Sequence, residues 1–299
     1  MSGFFGIASR KDCLSDVFFG IDYHSHLGSR RAGIASYNEE IGLRRKIHSI
    51  ENSPFRTKFE HIFEEMKATS AIGCISSVDP QPLLIRSNLG TYAISMIGAI
   101  NNAEELMDQY LSFTGGHFGA MTNGGVNSVE LVAAIINQKK SFVEGIEFAQ
   151  SVIKGSVSIL ILKSDGSLIA ARDSLGRLPV ILGKNKNGYC VAFENFAYKK
   201  LGYDDLRELG PGEVVDKKRP LNRGKRAYSS YPSGKAIRLL PPYRLVRARG
   251  LHGARTEMQG MSAFRSLPSC AKGRQKIKGA SHAKEAAHPS ARDRGGEIR

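Results

Sequence analysis

The composition of the chain changes abruptly near residue 216, and this change limits which residues can fold. Of 43 Lys and Arg residues, 21 lie in residues 217–299, which contain only 4 Asp and Glu. The net charge of +15 therefore comes from that part of the chain alone. Its apolar segments are short, whereas ordering a backbone costs about 1–2 kcal/mol per residue. We predict a globular domain over residues 1–216 and a disordered basic tail over 217–299.

Hydrophobic periodicity in residues 1–216 indicates helices grouped between hairpin-linked strands. Period-two and β-branched segments predict strands at residues 32–37, 41–47, 71–75, 91–97, 156–162, 167–172, 179–183, 189–193 and 213–215. Apolar residues at helical spacing predict helices over residues 55–66, 128–137 and 141–154, and a further helix that opens at an Asn cap at 101–102. This arrangement favours an α+β fold with antiparallel sheets over repeated βαβ units.

The start of the chain has the pattern of a buried strand that carries a small hydroxyl residue at its first position. An initiator Met before a small residue is usually removed, which would leave Ser2 at the amino terminus. The sequence from Ser2 to Ile7 resembles the start of class II glutamine amidotransferases, which have Cys at the position of Ser2. An ordinary core strand without chemistry is the alternative interpretation of these residues alone.

Five further motifs occur in the order in which one family has them. They are residues 26–35, Gln81-Pro82 followed by Gly90, Gly98 followed by residues 102–106, residues 172–183, and residues 210–213. Residues 26–35 have the sequence His-Leu-Gly-Ser-Arg-Arg-Ala-Gly-Ile-Ala, where the family has His-Arg-Gly-Gln-Glu-Ser-Ala-Gly-Ile-Ala. With these motifs, residues 1–215 resemble the N-terminal glutaminase domain of the amidophosphoribosyltransferases of purine biosynthesis. The resemblance implies a four-layer αββα sandwich of the Ntn-hydrolase type.

The resemblance also implies a pocket that has lost its polar groups. In the family, an N-terminal Cys attacks the glutamine amide, an Asn and a backbone N–H stabilise the oxyanion, and an Arg and an Asp hold the substrate's two charges. At these positions the chain has Ser2 for the Cys, Ser76 for the Arg, Ile97 before the retained Gly98 for the Asn, and Ser128 for the Asp. We therefore predict a pseudoenzyme that neither hydrolyses nor binds glutamine.

The family's second half, a phosphoribosyltransferase domain, has no counterpart in residues 217–299. Those residues contain no adjacent acidic pair. The Mg²⁺ and phosphoribosyl pyrophosphate of the family would belong to that second domain, so we expect no cofactor in this chain. Two explanations of the basic tail stay open: a nucleic-acid-binding arm with phosphate contacts at 217–219 and 244–249, or an out-of-frame translation after codon 216.

Other features predict a cytoplasmic protein without a membrane anchor or a metal site. The four Cys residues are widely spaced, which is typical of reduced, buried thiols. We see no apolar run of about 18 residues and no secretory signal. His24 and His26 suit local hydrogen bonding, and Tyr110, Phe113 and Phe118 suit core positions. The sequence does not determine the oligomeric state, and a homo-oligomer is compatible with it.

Overall fold

The described residues, 2–122, 124–218 and 220 of a computed structural model, form fourteen strands and seven α-helices. The strands are β1 (Ser2–Ser9), β2 (Arg31–Asn38), β3 (Gly42–Ser49), β4 (Ser70–Ser76), β5 (Leu83–Ser87), β6 (Gly90–Ile100), β7 (Met121–Thr122), β8 (Gly125–Val126), β9 (Gly155–Lys163), β10 (Leu168–Ala171), β11 (Ile181–Lys184), β12 (Gly188–Ala192), β13 (Asp204–Glu208) and β14 (Val214–Lys217). The helices are α1 (Leu14–Asp22), α2 (Phe55–Lys58), α3 (Ile62–Glu65), α4 (Ala103–Thr114), α5 (Ser128–Ile136), α6 (Phe142–Val152) and α7 (Asn195–Lys200). A 3-10 turn spans Ser25–Leu27.

Twelve of these strands form two antiparallel sheets. The larger sheet has the order β13-β11-β12-β1-β4-β2-β3, and the smaller has the order β14-β10-β9-β6-β5. Strands β7 and β8 form a separate two-stranded ribbon. The predicted hairpins are confirmed, because β2 pairs with β3, β9 with β10, and β11 with β12. The predicted α+β class with antiparallel sheets is therefore confirmed.

Three apolar clusters separate four layers of structure. The first, which contains Phe5 of β1, lies between α1 and the outer face of the larger sheet. The second lies between the two sheets and contains Phe4 of β1 and Leu160 of β9. The third, which contains Ile94 of β6, lies between the smaller sheet and helices α5 and α6. This is the αββα order that the family resemblance implied.

The alternation of side chains along β1 defines the two faces of the larger sheet. Phe4 and Ala8 belong to the cluster between the sheets, whereas Phe5 and Ile7 belong to the cluster under α1. Because successive side chains of a strand point to opposite faces, Ser2 lies on the same face as Phe4. We call this side of the larger sheet, which packs against the smaller sheet, the inner face.

Two expectations about helices need correction. Residues 55–66 form two short helices, α2 and α3, and not one, since the chain leaves helical geometry at Phe59 (φ −113°, ψ 14°). The bend allows Phe55, Phe59 and Ile62 to be buried together. At the start of α4, Asn102 occupies the cap position without capping the helix; its side chain bonds the backbone at Val152 and Lys154 instead.

The end of α4 also differs from the prediction. Phe113 is 84% exposed, so it is not a core residue. Tyr110 and Phe118 are partly buried and pack against each other, with ring centroids 5.3 Å apart and ring planes tilted by 41°. Leu106 is the only residue of α4 that is fully buried, so the helix covers the core through its first half and leaves its last turn in solvent.

The motif at residues 172–183 forms a turn that two charged side chains hold together. The Arg172 guanidinium donates to the carbonyl oxygens of Gly176 (2.8 Å), Leu178 (3.0 Å) and Leu209 (2.6 Å). The Asp173 carboxylate accepts from the backbone N–H groups of the same turn. The role of this motif in the described structure is therefore to join β10, the turn and the segment after β13.

The predicted basic tail lies outside the described residues, apart from 217, 218 and 220. Lys217 ends β14, which pairs with β10 at the edge of the smaller sheet. Among the residues with described structure, no helix is long and apolar enough to span a membrane.

Candidate active site

The larger sheet aligns four polar residues in one row across neighbouring strands. Ser2 of β1 is paired with Ser76 of β4, Ser76 with Arg31 of β2, and Arg31 with Ser49 of β3. Residues that are paired directly in antiparallel strands project to the same face. The whole row therefore lies on the inner face, at the end of the sheet where the chain begins.

The predicted positions Ser2 and Ser76 are thus direct neighbours. Ser76 is 2% exposed, and its Oγ accepts a hydrogen bond from the N–H of Val78 (3.2 Å). This bond turns the chain out of β4 into residues 77–82, which we call the β4–β5 loop. Ser76 therefore has a local structural role and presents no charge beside Ser2.

Ile97 and Gly98 lie on β6, in the sheet that faces this row. Ile97 is 1% exposed and belongs to the same apolar cluster as Phe4 and Cys74. Gly98 has φ +128°, and a Cβ there would lie 1.7 Å from the carbonyl oxygen of Ser156. Only glycine tolerates this geometry. The glycine that the family motif has at this position is therefore retained, whereas the side chain before it is apolar.

Ser128 is the first residue of α5, and its backbone N–H is hydrogen-bonded to a buried carboxylate. The N–H of Ser128 donates to Oδ2 of Asp79 (3.2 Å), and Asp79 is only 7% exposed. The preceding residue, Asn127, caps the helix by accepting from the N–H of Val129 (2.9 Å) and also donates to the carbonyl of Pro80 (3.1 Å). A carboxylate at a helix start is stabilised by the helix dipole. The β4–β5 loop is thereby attached to α5.

Gln81 connects the same loop to both sheets. Its Oε1 accepts from the N–H of Met96 in β6 (2.8 Å). Met96 follows Ile94, the last residue of β6 that is paired with β5. Its carbonyl oxygen lies 2.1 Å from the point where Gly33 of β2 would carry a Cβ. The loop therefore lies directly on the inner face of β2, and glycine at position 33 is what allows this close approach.

Glu130 of α5 holds a second loop near the candidate site. Its two carboxylate oxygens accept from the N–H groups of Gly119 (2.9 Å) and Ala120 (2.7 Å). The N–H of Asn127 in turn donates to the carbonyl of Ala120 (2.9 Å). The segment between α4 and α5 is thus fixed immediately before Ser128.

His24 and His26, the two histidines considered in the sequence analysis, lie outside this row of polar residues. His24 is fully buried near Gly3, on the face opposite Ser2, and its Nδ1 donates to the carbonyl of Gly20 (2.6 Å). Burial lowers the pKa of His24, which favours the neutral ring. His26 bonds the carbonyl of Tyr23 (3.1 Å). The local hydrogen bonding that we predicted for both residues is confirmed.

None of the cysteines in the described part of the chain places an exposed thiol at the site. Cys13, Cys74 and Cys190 are free and buried, as predicted, and Cys270 lies outside the described residues. Burial raises the pKa of each of these three thiols. They are therefore protonated at neutral pH and are poor nucleophiles.

Sequence patterns alone assigned no contact or role to Arg31, Asp79, Gln81 and Glu130, although Arg31 and Gln81 lie within the family motifs. Arg31 stands where the family motif at residues 26–35 has Ser, and this difference was the one available signal for it. Asp79 and Gln81 follow Ser76 closely in sequence and belong to the same short loop. Their partners are distant in sequence, so only the fold shows what they contact.

Comparison with known proteins agrees with the fold. Residues 68–197 match a family model described as a glutamine amidotransferase domain. The amidophosphoribosyltransferase of Methanocaldococcus jannaschii is 28% identical over 225 residues, which cover 72% of this chain and 47% of that protein. The amidophosphoribosyltransferase of Bacillus subtilis is 28% identical over 224 residues, which cover 71% and 45% of the two chains.

A solved structure extends the similarity to three dimensions. The glutamine phosphoribosylpyrophosphate amidotransferase from B. subtilis, in complex with ADP and GMP, superposes with a TM-score of 0.63 at 25% identity. The match covers 74% of this chain and 50% of that one. The chain therefore spans about half the length of the relatives that it matches. By sequence and by fold, the chain is similar to the amidophosphoribosyltransferases over about half of their length, and residues 68–197 match a glutamine amidotransferase domain.

Proposed function

We propose that this domain derives from a purine-biosynthetic glutaminase and no longer hydrolyses glutamine. The observation that carries the proposal is the buried, apolar Ile97 beside Gly98, where the family has an amide donor. Loss of one oxyanion donor typically reduces the rate by about 10²–10³. Ser76 and Ser128 carry no charge to replace the family's Arg and Asp, and a charged hydrogen bond contributes about 1.5–3 kcal/mol.

The test is glutamate release from L-glutamine by the purified chain. We expect no turnover at ordinary enzyme rates of roughly 1–10³ s⁻¹. A variant that combines Ser2→Cys, Ser76→Arg, Ile97→Asn and Ser128→Asp should regain activity, whereas Ser2→Cys alone should not. Glutamate release by the unaltered chain at ordinary rates would contradict the proposal.

The phosphoribosyl transfer step requires residues that we do not find in this sequence. Residues 217–299 contain no adjacent acidic pair, and the relatives are about twice as long as the matched part. We propose that transfer, with its Mg²⁺ and phosphoribosyl pyrophosphate, needs a second polypeptide or domain. Its ammonia would come from a source other than this pocket. Adding the chain to a separate transferase domain and measuring phosphoribosylamine formation with free ammonia tests this.

The second candidate function is nucleic-acid binding through the basic tail. The observation that favours it is the excess of 21 basic over 4 acidic residues in 217–299. Binding that depends on phosphate contacts weakens steeply with salt. Removing residues 217–299 should abolish tight binding to duplex DNA if the tail is an evolved arm. A tail that arose by frame error should give weak attraction without sequence preference, and another reading frame after codon 216 should then encode a transferase-like sequence.

We also propose a cytoplasmic location, for which the three free, buried thiols are the support. A homo-oligomer is open to direct test by light scattering at two protein concentrations.

A further inference from the structure

One tyrosine ring attracts the ammonium groups of two lysines from different sheets. Lys184 ends β11 and is paired with Tyr189 of β12, and its Nζ lies 5.8 Å from the centre of the tyrosine ring. Lys217 ends β14 in the smaller sheet, and its Nζ lies 5.4 Å from the same centre. An aromatic ring attracts cations at distances up to about 6 Å. Tyr189 therefore holds two positive charges at one place on the domain.

No carboxylate neutralises these two charges within the described part of the chain. Asp216, next to Lys217, forms its ion pair with Lys163 (2.9 Å). Asp204 is the register partner of Lys184 between β13 and β11, but the two side chains form no ion pair within 4.0 Å. Like charges that are held close together repel each other, and an anion placed beside both would relieve that repulsion.

More basic side chains lie around this pair. The backbone N–H of Arg10, just after β1, donates to the carbonyl of Asn187 in the turn between β11 and β12 (3.0 Å). This bond places Arg10 and Lys11 beside the turn that carries Lys186. Five of the six bases of this region are exposed, and one is partly buried. We call them the hairpin patch, which consists of Arg10, Lys11, Lys184, Lys186, Lys217 and Lys218.

Few acids offset the hairpin patch. Among the described residues of this region, Asp12 and Asp204 are the acids without an ion pair, and Asp12 already accepts from the N–H of Leu14 (2.9 Å). The next acidic turn, at residues 39 and 40, follows β2, which is three strands from β12 in the larger sheet. Three strand spacings are about 14 Å, which exceeds the Debye length of about 8 Å at physiological ionic strength. The patch therefore keeps a net positive charge.

The number and position of these bases favour a chain of phosphates over a single anion. One phosphate needs few of the six bases, whereas successive phosphates can contact all of them. Lys217 and Lys218 are also the first of the 21 bases in residues 217–299, so the patch lies where the basic part of the sequence begins. A flexible single strand can follow bases that come from two sheets more closely than a stiff duplex can.

We propose that the hairpin patch binds the phosphate backbone of single-stranded nucleic acid, with Lys184 and Lys217 contacting phosphates beside Tyr189. This inference deepens the second candidate function, on which it rests, because it gives the folded domain a share of the binding assigned above to residues 217–299 alone. Phosphates are the same at every base, so binding should show no preference for base sequence.

The salt dependence of oligonucleotide binding by the full chain tests the proposal. The probe is a fluorescein-labelled oligodeoxythymidine of about 15 nucleotides, and its fluorescence anisotropy measures binding. Each phosphate contact contributes about 0.7 to the slope of log K against log salt, so Lys184→Gln combined with Lys217→Gln should reduce that slope by about 1.4. Between about 50 and 200 mM salt, the affinity of the unaltered chain should therefore fall about sevenfold more than that of the double variant.

A matched control separates this effect from a general loss of charge. Arg44→Gln combined with Arg45→Gln removes the same charge from exposed residues of β3, at the far edge of the larger sheet, and should keep the slope of the unaltered chain. Circular dichroism confirms that each variant is folded. Equal slopes in the two double variants would overturn the inference. Tighter binding of a duplex of the same length would do so too.

Two further outcomes distinguish a single-anion site and a failure of the second candidate function. Inorganic phosphate should displace the oligonucleotide no better than chloride at equal ionic strength; stronger displacement would indicate a site for one anion and would overturn the inference. If removal of residues 217–299 abolishes binding while the lysine variant keeps the full slope, the second candidate function stands and this inference fails. No binding of the oligonucleotide by the full chain would refute both.

Discussion

Replacing Arg172 with Met should destabilise the domain far more than an exposed arginine would. Its side chain is only 14% exposed and donates to three carbonyl oxygens, two in the turn after β10 and one in the segment after β13. Met keeps the length of the side chain but provides no donors. The three carbonyls would then lie at a packed turn without their partners.

The magnitude follows from the number and kind of these bonds. A hydrogen bond to a charged group contributes about 1.5–3 kcal/mol, but bonds of one side chain are not additive. Removal of one partner from a buried charged network typically costs about 3–5 kcal/mol, and we expect a loss in this range. Since domains are stable by about 5–15 kcal/mol, Arg172→Met would be marginally folded.

Glu208→Gln provides the matched control. Glu208 forms an ion pair with Arg172 (2.8 Å), but its side chain is 51% exposed. Such pairs contribute about 0–1 kcal/mol, so this variant should be nearly as stable as the unaltered chain. The chain contains no Trp, and urea unfolding is best followed by far-ultraviolet circular dichroism. Equal losses in the two variants, or a loss below about 1 kcal/mol for Arg172→Met, would refute the role assigned to the carbonyl contacts.

Three further predictions concern the loops and their charges. Gly33→Ala should lower the urea midpoint, because its Cβ would lie 2.1 Å from the Gln81 carbonyl, whereas Gly125→Ala, with its nearest neighbour at 3.7 Å, should change it little. Glu130→Gln should increase amide hydrogen exchange at residues 115–122, since Glu130 accepts two of that loop's N–H bonds; unchanged exchange would contradict this. Hydrogen bonding to Arg207 lowers the pKa of Glu213 to about 2. A carboxylate whose pKa is lowered in the folded state stabilises the fold at pH values above its unfolded-state pKa. This contribution of Glu213 should be lost as the pH falls from about 4.5 towards 2, and Glu213→Gln should not show that loss.

The sequence predicted the local elements well because their signals are local. Period-two segments on either side of short polar turns identified the hairpins β2–β3, β9–β10 and β11–β12. The break at Phe59 and the exposure of Phe113 were not predictable, since each depends on what the rest of the fold places against the segment. A single helical period does not reveal how far the neighbouring core extends.

Four members of the candidate site were predictable from the sequence, but its other members and its arrangement were not. Family motifs located Ser2, Ser76, Ile97 and Ser128, and the structure makes Ser2 and Ser76 neighbours. That Arg31 completes their row depends on the order of β1, β4 and β2 in the sheet, which no motif records. Register between strands from different parts of a chain is a property of the packed core.

The central place of β1 has a consequence for how the protein is made. One neighbour, β4, lies within the first 76 residues, but the other, β12, ends at Ala192. At roughly 5–20 residues per second, a ribosome needs about 6–23 s between these two strands. During that interval, the edge of β1 that later pairs with β12 has no partner strand. Nascent chains stalled before β12 should therefore be protease-sensitive and should recruit chaperones, whereas chains released after β14 should not.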